Sequence, residues 1–420
     1  MKYLLVIAAR SAWNRRLTLG LTLAAVALSV ALLLGVERIR QDARAAFAHS
    51  VSGTDLLAGA RTSPVQLLLY AVFHIGEATR NMRWESYQAI ATHAEVAWSI
   101  PLSLGDSHRG FPVLGTSPAY FEHFRYGPGR PLALAQGRPF SGILEAVLGA
   151  EVAQRLGYRP GERIVLSHGM GEDGIAGHDD KPFTVVGILE RTGTPVDRTV
   201  HVGLAAITAL HLDWAGGAPL PGVSIPERHL AKFDLTPKEI TAALIGLKNR
   251  VGVFRMQRHI NAYPAEPLLA VLPGVALDQL WQVAGAAENA LLAVSALVVA
   301  VGLTGLVAVI LAGLNERRRE IAVLRSVGAR PRDVFLLLAA ESLLIALLGS
   351  ALGVLLLAVL APLAGPALQA HYGLALAPHP SSAEEWRLLA GVAAVALLAS
   401  LFPGWRAYRL SLADGLTPRL

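Results

Sequence analysis

Four apolar stretches punctuate the chain, and its polar residues are arranged around them. Residues 17–36 and 291–314 carry no charged side chain, residues 334–363 carry only Glu341, and residues 388–403 form a shorter uncharged run. A helix needs about 20 apolar residues to cross the hydrocarbon of a bilayer, and the first three runs meet that length. The pattern predicts membrane helices at 17–36, 289–314, 334–363 and 388–403. Residues 37–288 separate the first two and are too many for a loop, so they form a domain. The fold class expected is an α-helical membrane protein with four transmembrane helices plus a large α+β extracytoplasmic domain between the first and second.

Inside that domain the pattern changes period. Residues 163–167, 183–189 and 199–202 are apolar, β-branched runs bounded by Gly, Pro and Asp, which reads as strands. Helices are expected over 65–86, over 145–156, and over 236–249, the last capped by Thr236 with Pro237 and Glu239 in its first turn. Residues 37–49 continue the first membrane helix outward as a stalk. Residues 277–288, apolar at Leu277, Leu280, Trp281 and Ala284, lead back as a second stalk.

Charge sets the orientation. Residues 1–16 carry Lys2, Arg10, Arg15 and Arg16 with an apolar side suited to lying in the interface. A cleaved signal peptide is the competing reading, but its apolar core would be 7–15 residues, shorter than the run here. Residues 315–333 hold Arg317, Arg318, Arg319, Arg325, Arg330 and Arg332, the tail at 404–420 holds Arg406, Arg409 and Arg419, and the short loop at 364–387 has no lysine or arginine between 365 and 386. Basic loops stay on the cytoplasmic side, so both termini are expected inside and the large domain outside.

Composition agrees. The 420 residues are 53% hydrophobic and 16% charged, against about a quarter charged in soluble domains. The net charge of +6 comes from arginines beside the membrane segments, where lipid headgroups and topology account for them, so nucleic acid is not an expected partner. With no cysteine there is no disulfide framework and no thiolate chemistry. The chain has no Gly-Lys pair and hence no Walker A loop, no G-x-S-x-G and no H-E-x-x-H. The spans also lack the carboxylates and histidines of a proton relay. No catalytic residue is assigned, and energy for transport has to come from elsewhere.

Three features carry candidate chemistry. In the 315–333 loop, Ile321, Leu324 and Gly328 share a helical face among Arg318, Glu320 and Arg325, and Gly328 and Pro331 end the helix. An amphipathic cytoplasmic helix suits docking to a soluble partner; a solvated positive-inside anchor is the plainer reading. In the domain, residues 167–181 (SHGMGEDGIAGHDDK) supply His168, His178, Asp179 and Asp180, a feasible ligand set for a divalent metal, with His201 and His211 following. A polar hairpin tip is the alternative, since Gly169, Gly171, Gly174 and Gly177 mark a loop. His93, His108 and His123 read as surface or core-edge residues. Glu341 would pair with a loop arginine or line a path. Gly302, Gly305, Gly313, Gly349 and Gly353 mark close helix contacts, within the chain or across a dimer.

The loop ERRREIAVLRSVGARPRDV at 316–334, followed by Glu341, resembles the R-x-x-E-I-x-x-L-R-x-x-G-A loop of MacB/FtsX-type ABC transporter permeases. VLGTSPAYFEHF (113–124), QGRPF (136–140), AVLGAEVAQRLGYRPGERIVL (146–166) and FTVVGILERTGTPVDRTVHV (183–202) resemble the family's periplasmic core. The resemblance implies a non-catalytic permease in the bacterial inner membrane, driven by a separate ABC ATPase that binds ATP and Mg²⁺. Arg318, Glu320, Ile321, Leu324, Arg325, Gly328 and Ala329 would form the coupling helix seated on that ATPase. Two permeases would assemble with two ATPases, alongside membrane lipids and a periplasmic or outer-membrane partner, and work by mechanotransmission to the periplasmic domain. A membrane-anchored periplasmic sensor or scaffold, for example one regulating a cell-wall hydrolase, is the alternative.

Overall fold

The computed structural model describes residues 16–50, 52–76, 78–169, 176–215, 218–219, 225–316, 326, 330–372 and 382–409. The chain divides into two compact units, residues 1–42 with 285–420, and residues 43–284.

The first unit is helical. Helix α1 (Arg16–His49) carries the first apolar run and its outward stalk without a break. In the second unit follow α2 (Pro64–Phe73), α3 (Trp84–Ala91), α4 (Ala119–His123), α5 (Ala150–Leu156), α6 (Leu204–Leu210) and α7 (Val253–Asn261). The remaining helices are α8 (Pro273–Glu316), α9 (Pro331–Tyr372) and α10 (Ala383–Arg409). Among the described residues α1, α8, α9 and α10 are the four helices long and apolar enough to cross a membrane. Pro331 opens α9 at its first position, where the missing N–H costs nothing, and the Asp333 carboxylate accepts from the Arg330 N–H at 2.8 Å.

Three of the glycines seen in sequence explain how closely the helices pack. A Cβ on Gly349 would strike Val26, one on Gly353 would strike the Ala27 carbonyl and Val30, and one on Gly302 would meet Ser29. Gly305 has nothing within 4 Å of such a Cβ. At the outer end of the helices Arg38 grips Glu385 with two parallel bonds of 2.9 and 3.1 Å, joining α1 to α10. Beside it the buried Glu37 accepts from Arg40 at 2.7 and 2.9 Å and from Gln41 at 2.6 Å.

The second unit is built on a twelve-stranded sheet: β1 (Leu56–Ala60), β2 (Val96–His108), β3 (Phe111–Thr116), β4 (Leu134–Gly137), β5 (Glu145–Leu148), β6 (Arg163–Ile164), β7 (Ser167–His168), β8 (Ala176–Gly177), β9 (Phe183–Leu189), β10 (Val200–Gly203), β11 (Ala242–Leu247) and β12 (Leu268–Val271). The main path runs β12-β1-β11-β2-β3-β10-β5-β9-β4. Its β3–β10 and β5–β9 neighbours are parallel, and the rest of the path is antiparallel.

Both faces are buried, which explains strands that are apolar throughout. Leu57, Ala242, Leu244, Leu114 and Val147 join one core that also takes Leu67 and Tyr70 of α2 and Leu277 of α8. Their strand neighbours point the other way, as the two-residue period requires. Leu56, Ala58, Ala243 and Ile245 meet Ile90 of α3 and Met256 of α7, while Val113, Ala146 and Leu148 meet Val152 of α5 and Ala209 of α6.

Three expectations need correction. The range 236–249, expected to be a helix, holds the central strand β11 instead, with Asp234 accepting from the Thr236 N–H at 2.9 Å in a turn before it. All six β11 residues are buried, and a short apolar run on a two-sided strand has no period to distinguish it from a helix. The helix expected over 145–156 is β5 followed by α5, broken at Gly149, where any Cβ would collide with the backbone of Val196 and Asp197. The helix expected over 65–86 ends at Phe73, because His74 turns left-handed at φ 54°.

Candidate functional site

The sequence-derived ATPase-coupling residues Arg318, Glu320, Ile321, Leu324, Arg325, Gly328 and Ala329 lie outside the described residues. Glu341 is half-buried in the early part of α9. The fold assembles a polar cluster elsewhere, in the second unit.

The cluster begins with an irregularity in β2. Leu104 pairs with Leu114 and Asp106 with Val113, so Gly105 is an extra residue, at φ 149°. Few side chains tolerate that backbone, which accounts for the glycine. Beyond the bulge β7 docks on β2 with His168 directly opposite Asp106. Two further bonds hold it there: the Gly169 N–H to the Gly105 carbonyl at 3.0 Å, and the Ser107 hydroxyl to the Gly169 carbonyl at 2.6 Å.

His168 Nδ1 lies 3.1 Å from Asp106 Oδ1. His211, at the C-terminal cap of α6, brings its Nε2 to 3.2 Å from His168 Nδ1 and 3.7 Å from Asp106 Oδ1. The other ring nitrogen of His211, Nδ1, sits 2.8 Å from the Ile207 carbonyl. A carbonyl only accepts, so Nδ1 carries a hydrogen, and in the neutral ring the Nε2 lone pair faces the cluster. Trp214 closes one side, its ring 4.4 Å from His178, 5.5 Å from His168 and 5.6 Å from His211.

His178 stands edge-on to His211, ring centres 5.3 Å apart. It is 1% exposed, and neither ring nitrogen has a hydrogen-bond partner among the described residues. Burial pushes its pKa down to about 4, with Asp106 opposing the shift and His211 and Lys181 adding to it, so the ring is neutral at neutral pH.

Of the expected ligands, His168 and His178 are therefore in the cluster. Asp180 instead pairs with Lys181 at 3.2 Å, and Asp179 is exposed on the turn. Lys181 is fully buried, held by Asp213 at 2.7 and 2.8 Å. Asp106 and the role of His211 escaped the sequence reading because they lie 62 and 43 residues from His168, and β-pairing brings them together. The other histidines have separate surroundings: His108 bonds the Val165 carbonyl at 2.6 Å and the Tyr158 hydroxyl at 3.1 Å, His93 lies against His259, and His123 stacks on Trp98.

A MacB-like periplasmic core domain family matches residues 19–217, and an FtsX-like permease C-terminal family matches residues 292–412. The chain belongs to the MacB/FtsX-type permease family. The two matches follow the order of the fold, one beginning in α1 and crossing much of the sheet, the other running from α8 through α10. Macrolide export ATP-binding/permease protein MacB of Azoarcus sp. (strain BH72) is 25% identical over 349 residues, 80% of this chain and 48% of that protein. The protein of the same name from Bdellovibrio bacteriovorus is 24% identical over 246 residues, 58% of this chain and 35% of its own length. The chain thus spans about half, or less, of these relatives. The crystal structure of the periplasmic region of MacB from Actinobacillus actinomycetemcomitans aligns to 56% of this chain and 94% of its own, at 9% identity and a TM-score of 0.34. The chain thus carries both domains of that family, and four of its described helices are long and apolar enough to cross a membrane.

Proposed function

We propose that the protein is the permease subunit of an ABC transporter that exports or extracts a substrate from the periplasm or inner membrane, driven by a separate ATPase chain through mechanotransmission. The observation that carries the reading is the pairing of the two family domains with an arginine-rich, internally patterned loop between α8 and α9. Arg318, Glu320, Ile321, Leu324, Arg325, Gly328 and Ala329 seat on the ATPase, which supplies ATP and Mg²⁺ binding. Two permeases work with two ATPases in the inner membrane, termini in the cytoplasm. A periplasmic or outer-membrane partner receives or delivers the cargo.

Two features favour mechanical coupling over conduction between the helices. The described spans hold few ionisable groups, so they offer little to a charged solute or a proton relay. And the stalks are continuous with membrane helices: α1 runs unbroken to His49 and α8 starts at Pro273. In the periplasmic unit the two stalks touch through Phe47 and Trp281, ring centres 5.3 Å apart, with Arg44 over the Trp281 ring and Phe47 packed on Phe73 of α2 at 4.2 Å.

The test is co-expression with the genomically adjacent ATPase and measurement of ATP turnover by the purified pair in nanodiscs. Co-purification, with turnover altered by Glu320→Lys or Gly328→Pro, is the expected result. No co-purification, or turnover indifferent to the loop, would put a membrane-anchored sensor or scaffold in its place.

A further inference from the structure

We propose that Asp106, His168 and His211 form a binding site for one divalent transition-metal ion of the zinc class in the periplasmic domain, independent of the transport reading. The donor atoms have the required spacing. With metal–ligand bonds of about 2.0–2.1 Å, tetrahedral ligands stand about 3.3 Å apart. The three separations here are 3.1, 3.2 and 3.7 Å.

The tautomer points the same way. With Nδ1–H donating to the Ile207 carbonyl, a neutral His211 turns its Nε2 lone pair toward Asp106 Oδ1 and His168 Nδ1, and a metal ion placed there would take all three as ligands.

The surroundings are those of a metal centre. The Ile207 carbonyl fixes the tautomer and ring plane of His211, the outer-shell bond that metal-ligating histidines habitually make. The backbone register of β7 on β2 fixes His168 against Asp106. Trp214 supplies an apolar wall. The independent observation is His178, 1% exposed with both nitrogens unpartnered and its ring against His211. A buried imidazole with no hydrogen bond among the described residues forfeits its solvation, and it stands beside the three donor atoms without being one of them. Two neutral imidazoles and one carboxylate suit Zn²⁺ over Mg²⁺ or Ca²⁺, which prefer oxygen.

The experiment uses the full chain in detergent, purified without a polyhistidine tag, stripped with chelator, and titrated with Zn²⁺ against a chromophoric competitor. Co²⁺ loading is read in parallel by its visible absorption, which no thiolate can supply because the chain has no cysteine. About one ion per chain is expected, weakened at least tenfold by His168→Ala or His211→Ala and by the near-isosteric Asp106→Asn, and unchanged by His123→Ala. Metal-free melting curves report whether each variant folds, and Asp106→Asn decides if the histidine variants do not. Wild-type binding no tighter than that of Asp106→Asn, or no binding at all, overturns the site.

Discussion

Lys181 is a fully buried charge in the second unit. Its ammonium is inaccessible to water and lies between the buried Asp213 and the more exposed Asp180; burial pushes the Asp213 carboxyl up but Lys181 and the Ile225 N–H pull it down further, for a net depression. Removing the buried partner leaves the ammonium to Asp180 alone, at a cost of up to about 3–5 kcal/mol. Asp213→Leu should therefore lower the unfolding midpoint sharply. Lys181→Met with Asp213→Leu should recover most of the loss in a double-mutant cycle followed by tryptophan fluorescence.

A second prediction concerns His201, on β10, its ring against Tyr120 and Phe121 and its Nε2 unpartnered. Burial lowers its pKa to about 3, and that of His74 to about 4. The unfolded chain takes up protons below about 6.5 while the folded domain does not, so stability falls as the pH drops from there. Each histidine contributes about 1.4 kcal/mol per pH unit within its window. His201→Phe should flatten the acid limb of stability between pH 6.5 and about 3 without abolishing it, since His74 and His178 contribute with the same sign. None of this is legible in sequence, because a histidine in a strand carries no mark of burial. The histidines at 168 and 178 stood out only because glycines and acids surround them.

Elements were easier to read where their period was unambiguous. The long apolar runs of α1, α8, α9 and α10 could be nothing but helices, whereas β11, reading AALIGL, has the residues of a helix and the burial of a central strand. Tertiary pairing with β1 and β2 overrides that propensity. The glycine rows were likewise visible, but which of them matter was not. Gly353→Ala drives a methyl into the Ala27 carbonyl and Val30 of α1, backbone that cannot yield, while Gly305→Ala meets open space. The first should reduce the melting temperature and monodispersity of the detergent-solubilised protein, and the second should raise or preserve both, since alanine is the better helix former.

At the scale of the whole molecule, the four membrane-length helices were the most legible feature and cluster geometry the least. The length and apolarity of a run are local quantities that a sequence displays directly. The Asp106–His168–His211 cluster depends on strand order and a one-residue bulge, which no window of sequence contains. The transport reading makes its own prediction here. Because the chain lacks cysteine, Phe47→Cys with Trp281→Cys introduces a single pair between the stalks. Oxidising that pair should suppress substrate-dependent turnover by the assembled transporter while leaving co-purification of the ATPase intact, and reduction should restore it. Turnover insensitive to the crosslink would remove the stalks from the coupling path.

The unbroken length of α8 has a consequence in plain geometry. Forty-four residues at a rise of about 1.5 Å make a rod about 66 Å long, and a bilayer core occupies only about 30 Å of it. With the span at 289–314, residues 273–288 leave about 24 Å of helix on the domain side, and under the mechanical coupling proposed above a tilt of about ten degrees at the membrane surface would become a sweep of about 4 Å at the tip. Such a rod would multiply angle into distance.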